Sequence, residues 1–262
     1  MLEIKDSVAV ITGGSGGIGM VLARYWVGNG GKVVLADIPR ALDAAAAEIE
    51  GLGADVSTIG CDVTKEDDCS RMADFAIERY GSLNLVAPFA GITKDGLMVA
   101  PDIRGKVAKK MSLEQFQSVI DINLTGVFLT VRECTERMVN NGCKGLICLV
   151  SSTGSLGTAG QLNYSSSKAA MSVFPKVLTA EFFRRGFADR VRCVAVAPGY
   201  VGTPMVKKIN PKVLDGIIEQ VPIGRLIEPE EIVSLVGELY RNEALAGDVF
   251  FIHGGLRLGS KG

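Results

Sequence analysis

An apolar run, Ser7-Val8-Ala9-Val10-Ile11-Thr12, leads without a break into Gly13-Gly14-Ser15-Gly16-Gly17-Ile18-Gly19, and a helical pattern follows from Met20 to Asn29. A strand, a glycine-rich turn and a helix in that order leave few folds open. The glycines permit a tight turn, and the helix N-terminus behind them offers free N–H groups that suit a pyrophosphate. Gly14-x-Gly16-x-x-Gly19 matches the dinucleotide fingerprint letter for letter, and Gly13-x-x-x-Gly17-x-Gly19 fits the same turn. The second strand, Lys32 to Ala36, ends at Asp37. A carboxylate about 20 residues beyond the fingerprint accepts both ribose hydroxyls of an adenosine and repels a 2′-phosphate, which predicts NAD (NADH) rather than NADP. Arg40 nearby softens that discrimination without reversing it.

Strands and helices go on alternating. Leu42 to Leu52 reads as a helix, Asp55 to Cys61 as a strand ending at Asp62-Val63, and Asp67 to Tyr80 as a helix. Asp62 either faces the adenine edge or caps the helix from Lys65 onward, and both roles are compatible. Leu83 to Ala87 is the fourth strand, ending in Pro88-Phe89-Ala90-Gly91. Lys94 to Met111 reads as a loop, and Leu113 to Asn141 as one long helix carrying Asp121-Ile122-Asn123-Leu124. Gly145 to Val150 and Arg190 to Ala197 are strands, with a helix from Tyr164 to Arg185 between them. Pro198-Gly199-Tyr200-Val201-Gly202-Thr203-Pro204 is the next turn, and Met205 to Leu226 reads as a mobile lid. A last helix starts at Pro229-Glu230-Glu231, before a seventh strand from Asp248 to Ile252. The expected architecture is α/β, a single doubly wound (Rossmann) domain over residues 1–262 with a seven-stranded parallel sheet and a lid at about 203–226. Ligands bind at the carboxyl ends of such strands, where Gly13, Asp37, Asp62, Ser151 and Pro198 fall.

Tyr164 and Lys168 are four apart, so one helix face carries both. Ser151 ends the strand before them. A phenol, an ammonium and a hydroxyl can therefore meet at a strand's carboxyl end. An ammonium beside a phenol favours the phenolate, which makes the tyrosine a general acid or base near neutral pH. Lys94, Arg104, Lys106, Lys109 and Lys110 give the loop before the long helix a basic cast, suited to an anionic substrate or merely solvated. The net charge of −1 creates no field that selects nucleic acid or an anionic membrane. No apolar run approaches the ~18 residues of a membrane helix. The acidic start carries no signal peptide, and six cysteines without a Cys-x-x-Cys pair read as buried thiols of a cytoplasmic protein. The one histidine, His253, has no partners at metal-ligand spacing and is expected to pack or hydrogen-bond near the last strand.

Taken together, these motifs resemble the short-chain dehydrogenase/reductase family over the full chain. Thr12-Gly13-x-x-x-Gly17-x-Gly19 looks like its cofactor motif, which favours the second reading of the glycines. The Ser151-to-Tyr164 spacing, Tyr164-x-x-x-Lys168, Asn123 and Pro198-Gly199 with Thr203 look like its remaining signatures. Ser151 is chosen over Ser152 because Gly154 follows it at the family's interval. Gly160-Gln161-Leu162-Asn163-Tyr164 and Pro222-Ile223-Gly224-Arg225-Leu226 resemble the 3-oxoacyl-thioester reductase branch.

The resemblance implies a catalytic set of Asn123, Ser151, Tyr164 and Lys168. Tyr164 exchanges the proton, Lys168 lowers its pKa and holds the nicotinamide ribose, Ser151 bonds the carbonyl, and Asn123 positions a relay water. It implies a dinucleotide held by Gly13, Ser15, Gly17, Ile18 and Gly19, with Asp37, Asp62 and Val63 on the adenosine. Ala90 and Gly91, Tyr164 and Lys168, and Pro198, Gly199, Val201 and Thr203 complete that site. The implied activity is NAD-dependent interconversion of a secondary alcohol and a ketone, on a small-molecule substrate ranging from a 3-hydroxyacyl thioester to a cyclic alcohol. The implied assembly is a homotetramer paired through the helices around Leu113–Asn141 and Tyr164–Arg185. An NADPH-dependent 3-oxoacyl-carrier-protein reductase, a non-catalytic NAD-binding regulator and an epimerase or dehydratase stay open as alternatives. Three features depart from the branch: Asp37, since its biosynthetic members usually take NADPH; Pro88-Phe89, where Asn-Asn is usual; and the insertion around Pro101 to Lys110.

Overall fold

The computed structural model describes residues 1–203, 206 and 211–256. In chain order the strands are β1 (Val8–Thr12), β2 (Lys32–Asp37), β3 (Val56–Gly60), β4 (Leu85–Pro88), β5 (Val99–Pro101), β6 (Val107–Lys110), β7 (Gly145–Val150), β8 (Val191–Pro198) and β9 (Val249–Ile252). Seven of them form one parallel sheet in the order β3-β2-β1-β4-β7-β8-β9. The chain moves outward from β1 through β2 to β3, then returns to β4 on the other side of β1. Val10 consequently pairs with Val34 on one flank and Val86 on the other. That reversal opens a crevice between the carboxyl ends of β1 and β4, where such folds bind ligands.

Side chains alternate across each strand, so both faces must be covered. Val10, Val34, Val86, Ile147 and Leu149 face one way and meet Met72, Cys134, Met138 and Met171. Those residues come from α4 (Glu66–Tyr80), α6 (Val127–Asn140) and α7 (Leu162–Arg185). Ala9, Ile11, Leu35, Leu85 and Cys148 face the other way and meet Leu22, Trp26, Ile232, Val236 and Tyr240. Those come from α1 (Gly17–Gly28) and α9 (Pro229–Arg241), locked edge to face by Trp26 and Tyr240 at 4.8 Å. As the sequence predicts, Pro229 opens α9 with Glu230 and Glu231 in its first turn, and Glu231 accepts from the Glu228 N–H at 2.9 Å.

Three expectations need correction. Leu42 to Leu52 is two short helices, α2 (Pro39–Ala44) and α3 (Ala46–Glu50). The segment Lys94 to Met111 is not a loop but carries the antiparallel hairpin β5–β6, turned at Gly105, where φ is +76°. Asp102 organises that turn, accepting from the N–H groups of Arg104 at 2.8 Å and Lys106 at 3.0 Å. The helix expected from Leu113 to Asn141 is α5 (Leu113–Ile120), a π-helical turn over Asp121–Gly126, and α6. Of the expected lid, residues 204, 205 and 207–210 lie outside the described residues, and Pro211–Ile218 forms α8.

Candidate active site

The glycine turn between β1 and α1 is shaped by contact. Gly13 has φ +65°, and a Cβ there would lie 2.8 Å from the Ala90 backbone across the crevice. A Cβ on Gly19 would fall 2.5 Å from the Gly13 carbonyl, and Gly17, at φ +33°, faces the Thr203 side chain at 3.4 Å. Gly16 has open space apart from the Gly13 carbonyl at 4.0 Å, so the geometry favours the Gly13-Gly17-Gly19 pattern. Ile18, half-buried, packs on the α1/α9 side of the sheet. No side chain caps α1 and no acid occupies its first turn, which leaves the first N–H groups free for an anion. A glycine cradle that a Cβ would fill, beside an uncapped helix N-terminus, fits a dinucleotide's pyrophosphate.

Asp37 ends β2 and points back at this turn. Its Oδ2 accepts from Ser15 Oγ and from Ser15 N at 3.3 Å, and its Oδ1 accepts from Ile38 N at 2.8 Å. Asp62 accepts from Thr64 N and Oγ1 at 3.0 and 2.8 Å. Those two bonds form a local turn, so Asp62 does not cap α4, whose cap is Lys65. Val63 packs on the π turn, where a Cβ on Gly126 would lie 2.7 Å from its side chain. Pro88-Phe89 does change the bracing. Phe89 packs into the α1/α9 face, and the Thr12 hydroxyl accepts from Ala90 N at 3.3 Å.

At the far wall, Gly199 donates to Ile252 O at 2.9 Å, and a Cβ on it would lie 2.9 Å from His253. His253 packs there, 5.9 Å from the Phe251 ring, with no hydrogen bond at its Nδ1. Val201 bridges to Ile227, and Thr203 N donates to Val201 O at 2.7 Å. This wall carries Pro198, Gly199, Val201 and Thr203 opposite the glycine turn.

Between the walls lies the first part of α7. Lys168 Nζ is buried, donates to Val150 O at 2.9 Å and stands 5.7 Å from the centre of the Tyr164 ring. Burial pushes its ammonium from the ordinary 10.5 down to about 8. Burial also raises the Tyr164 pKa, a hydrogen bond with Ser152 opposes that, and the Asp95 carboxylate adds to it.

The two serines that end β7 make different contacts. Ser151 Oγ donates to Lys168 O at 2.8 Å and lies 3.2 Å from Ser172 Oγ, beneath α7. Ser152 Oγ accepts from Gly154 N at 3.0 Å, and it and the phenol edge both flank the Gly154 Cβ position, at 3.3 and 3.4 Å. Strand parity explains the difference: Ile147 and Leu149 face the α7 side, so Ser151 does too and Ser152 turns into the crevice.

Asn123 sits fully buried in the π turn. Its Oδ1 accepts from Ile92 N at 2.8 Å, and its Nδ2 donates to Ile92 O at 2.9 Å and Ser167 Oγ at 3.4 Å. With both ends of the amide engaged, it braces the crevice floor. Gly91 lies against it, with room for a Cβ only 3.3 Å from Oδ1 and 3.9 Å from Lys168 Nζ.

Residues 7–214 match the family described as short chain dehydrogenase. A 3-oxoacyl-[acyl-carrier-protein] reductase of Synechocystis sp. is 32% identical over 98% of this chain and 99% of that protein. A human (3R)-3-hydroxyacyl-CoA dehydrogenase is 31% identical over 97% of each chain. A solved short-chain dehydrogenase/reductase from Brucella melitensis, titled a glucose/ribitol dehydrogenase, superposes with a TM-score of 0.83 at 28% identity, covering 98% of this chain and 99% of that one.

Proposed function

The chain belongs to the short-chain dehydrogenase/reductase family, as an oxidoreductase of hydroxyl and keto groups, and from that premise we propose that it is NAD-dependent and interconverts a 3-hydroxyacyl and a 3-oxoacyl thioester. The observation that carries the reading is the meeting of Tyr164, Lys168 and Ser152 on one crevice whose other end is closed by Asp37.

A bound nicotinamide dinucleotide supplies the hydride acceptor or donor. The chain's own residues do the rest. Tyr164 Oη gives a proton to the substrate oxygen in reduction and takes it in oxidation. Ser152 Oγ, on the crevice side of the β7 end, donates to the same oxygen and orients it. Lys168 presents a buried cation beside the phenol and the ribose, poised by its depressed pKa to pass a proton on. Asn123 holds the π turn and Ile92 against them. Asp37, fixed by Ser15 at the end of β2, would accept from the adenosine ribose hydroxyls and repel a 2′-phosphate, which supports NAD.

Two further observations support the substrate class. The relatives named above act, by their names, on 3-oxoacyl or 3-hydroxyacyl thioesters. Lys94, Lys106, Lys109 and Lys110 are exposed along and beside the hairpin, which suits an anionic handle such as the phosphates of coenzyme A. Exposed Phe128, Val173, Val177 and Phe183 on α6 and α7 support a homotetramer. Six free, buried cysteines suit the cytoplasm, and among the described residues no helix is long and apolar enough to cross a membrane.

Isothermal titration with NAD, NADH, NADP and NADPH tests the cofactor. Much tighter NAD(H) binding is expected, and equal or tighter NADP(H) binding brings forward the NADPH-dependent reductase. Acetoacetyl-CoA reduction by NADH tests the reaction. Tyr164→Phe is expected to cost at least about 100-fold in turnover while NADH binding is retained. Undiminished turnover in that variant sinks the assignment.

A further inference from the structure

Asp95 belongs to none of the groups assigned above. It lies in the segment leaving β4, and that segment is fastened to the start of the catalytic helix. Gly96 N donates to Gly160 O at 2.7 Å. Asn163 Nδ2 donates to Lys94 O at 3.0 Å, and Gln115 Nε2 reaches Lys94 O and Asp95 O at 3.0 Å each. The Asp95 carboxylate has its own fastening, accepting from Gln161 Nε2 at 2.8 Å.

Gln161 is the cap residue just before α7, three residues ahead of Tyr164. Both flank Gly154: a Cβ there would lie 3.4 Å from Gln161 Oε1 and 3.4 Å from the edge of the phenol ring. Gln161 therefore holds a carboxylate near the phenol's edge of the crevice. The groups facing the phenol are Lys168 from its own helix, Asp95 from the β4 segment and the neutral Ser152 from the β7–α7 segment. The first charge favours the phenolate, and the second favours the phenol.

We propose that Asp95 is a positioning residue for the proton transfer, a charge fixed by Gln161 that keeps Tyr164 in its proton-donating form and counterweights Lys168. It deepens the proposed function and rests on Tyr164 as the acid–base group. Because Asp95 is itself exposed, its influence is screened by water and salt and grows when substrate closes the crevice.

Asp95→Asn keeps an oxygen for Gln161 Nε2 and removes the charge, whereas Asp95→Ala removes both. The first readout needs no turnover: the tyrosinate absorbance of Tyr164, taken as each protein minus its Tyr164→Phe counterpart, titrated with pH. In Asp95→Asn the midpoint is expected about half a pH unit lower, with Asp95→Glu restoring it. The acid limb of kcat for 3-hydroxybutyryl-CoA oxidation should move with it, up to about threefold faster on that limb, with KM unchanged. An unmoved midpoint in Asp95→Asn, with Asp95→Ala losing thermal stability and kcat together, overturns the proposal and leaves Asp95 as a clamp. Absence of turnover in the wild type is a separate result that speaks against the proposed function, since the absorbance titration still reads Asp95.

Discussion

Two adjacent serines divide structure from chemistry, and a pair of substitutions separates them. Ser152→Ala removes the hydroxyl beside the phenol and is expected to cost about 100-fold in kcat with little change in stability. Ser151→Ala leaves the crevice as it is but deprives Lys168 O and Ser172 of a buried partner, at about 1 kcal/mol in urea unfolding. The reverse pattern would restore Ser151 to the site. Lys168 offers a pH signature. The unfolded chain holds this proton to the ordinary 10.5, and the folded chain releases it near 8. Between those values the unfolded state binds more protons, so stability rises with pH. Relative to Lys168→Met, the wild type should gain about 2 kcal/mol between about pH 7.5 and about pH 10, and a flat difference would refute the buried cation. At this scale the sequence was legible where chemistry is local. Glycines within one turn and Tyr164 with Lys168 on one helix face need no tertiary knowledge. The choice between Ser151 and Ser152 depends on which face of β7 each occupies, and the bond from Gln161 to Asp95 joins residues 66 apart.

The elements differ in how far pattern alone defines them. Strands of the central sheet are continuous apolar runs, because helices cover both faces, and each fell within a few residues of its expected bounds. The β5–β6 hairpin escaped notice for the opposite reason. Its strands are three and four residues long, one ends in Pro101, and β6 is exposed throughout, so no face is buried to impose alternation. The π turn was equally invisible, since Asp121–Gly126 has ordinary helix-forming neighbours and its extra residue is fixed by packing of Asn123 and Val63. A two-stranded ribbon without a buried face is marginal by itself, which gives the hairpin reason to order on a ligand. On the proposed thioester reading, changing Lys106, Lys109 and Lys110 together to Gln should lower kcat/KM for acetoacetyl-CoA about tenfold. The same variant should leave S-acetoacetyl-N-acetylcysteamine, which lacks the phosphates, untouched. Equal losses on both substrates would mean that the hairpin shapes the crevice and does not read the anion.

For the whole molecule, the proposed homotetramer would tie assembly to catalysis through α7. Its first turns carry Tyr164 and Lys168 toward the crevice, and its outer face exposes Val173 and Val177 one turn apart, with the small Ser166 and Ala169 before them. Small residues let two helices approach closely, and exposed valines give them a reason to do so. The neighbouring α6 adds Phe128, with the Arg132 guanidinium 5.3 Å from its ring centre. Each valine that becomes fully buried contributes about 1.5–3 kcal/mol. A charge placed there opposes that contribution and adds the cost of desolvation. In the proposed homotetramer, the double substitution Val173→Glu with Val177→Glu is expected to reduce the mass found by light scattering to that of a dimer or monomer. Neither residue touches the crevice, so NADH binding should survive. Turnover should fall in step with the loss of assembly, because an α7 without its neighbour holds Tyr164 and Lys168 less firmly. If the wild type scatters as a monomer, the exposed face of α6 and α7 has another purpose. If the variant dissociates at full activity, the catalytic half of α7 is held by the sheet alone, through Lys168 on Val150 and Ser151 on Lys168.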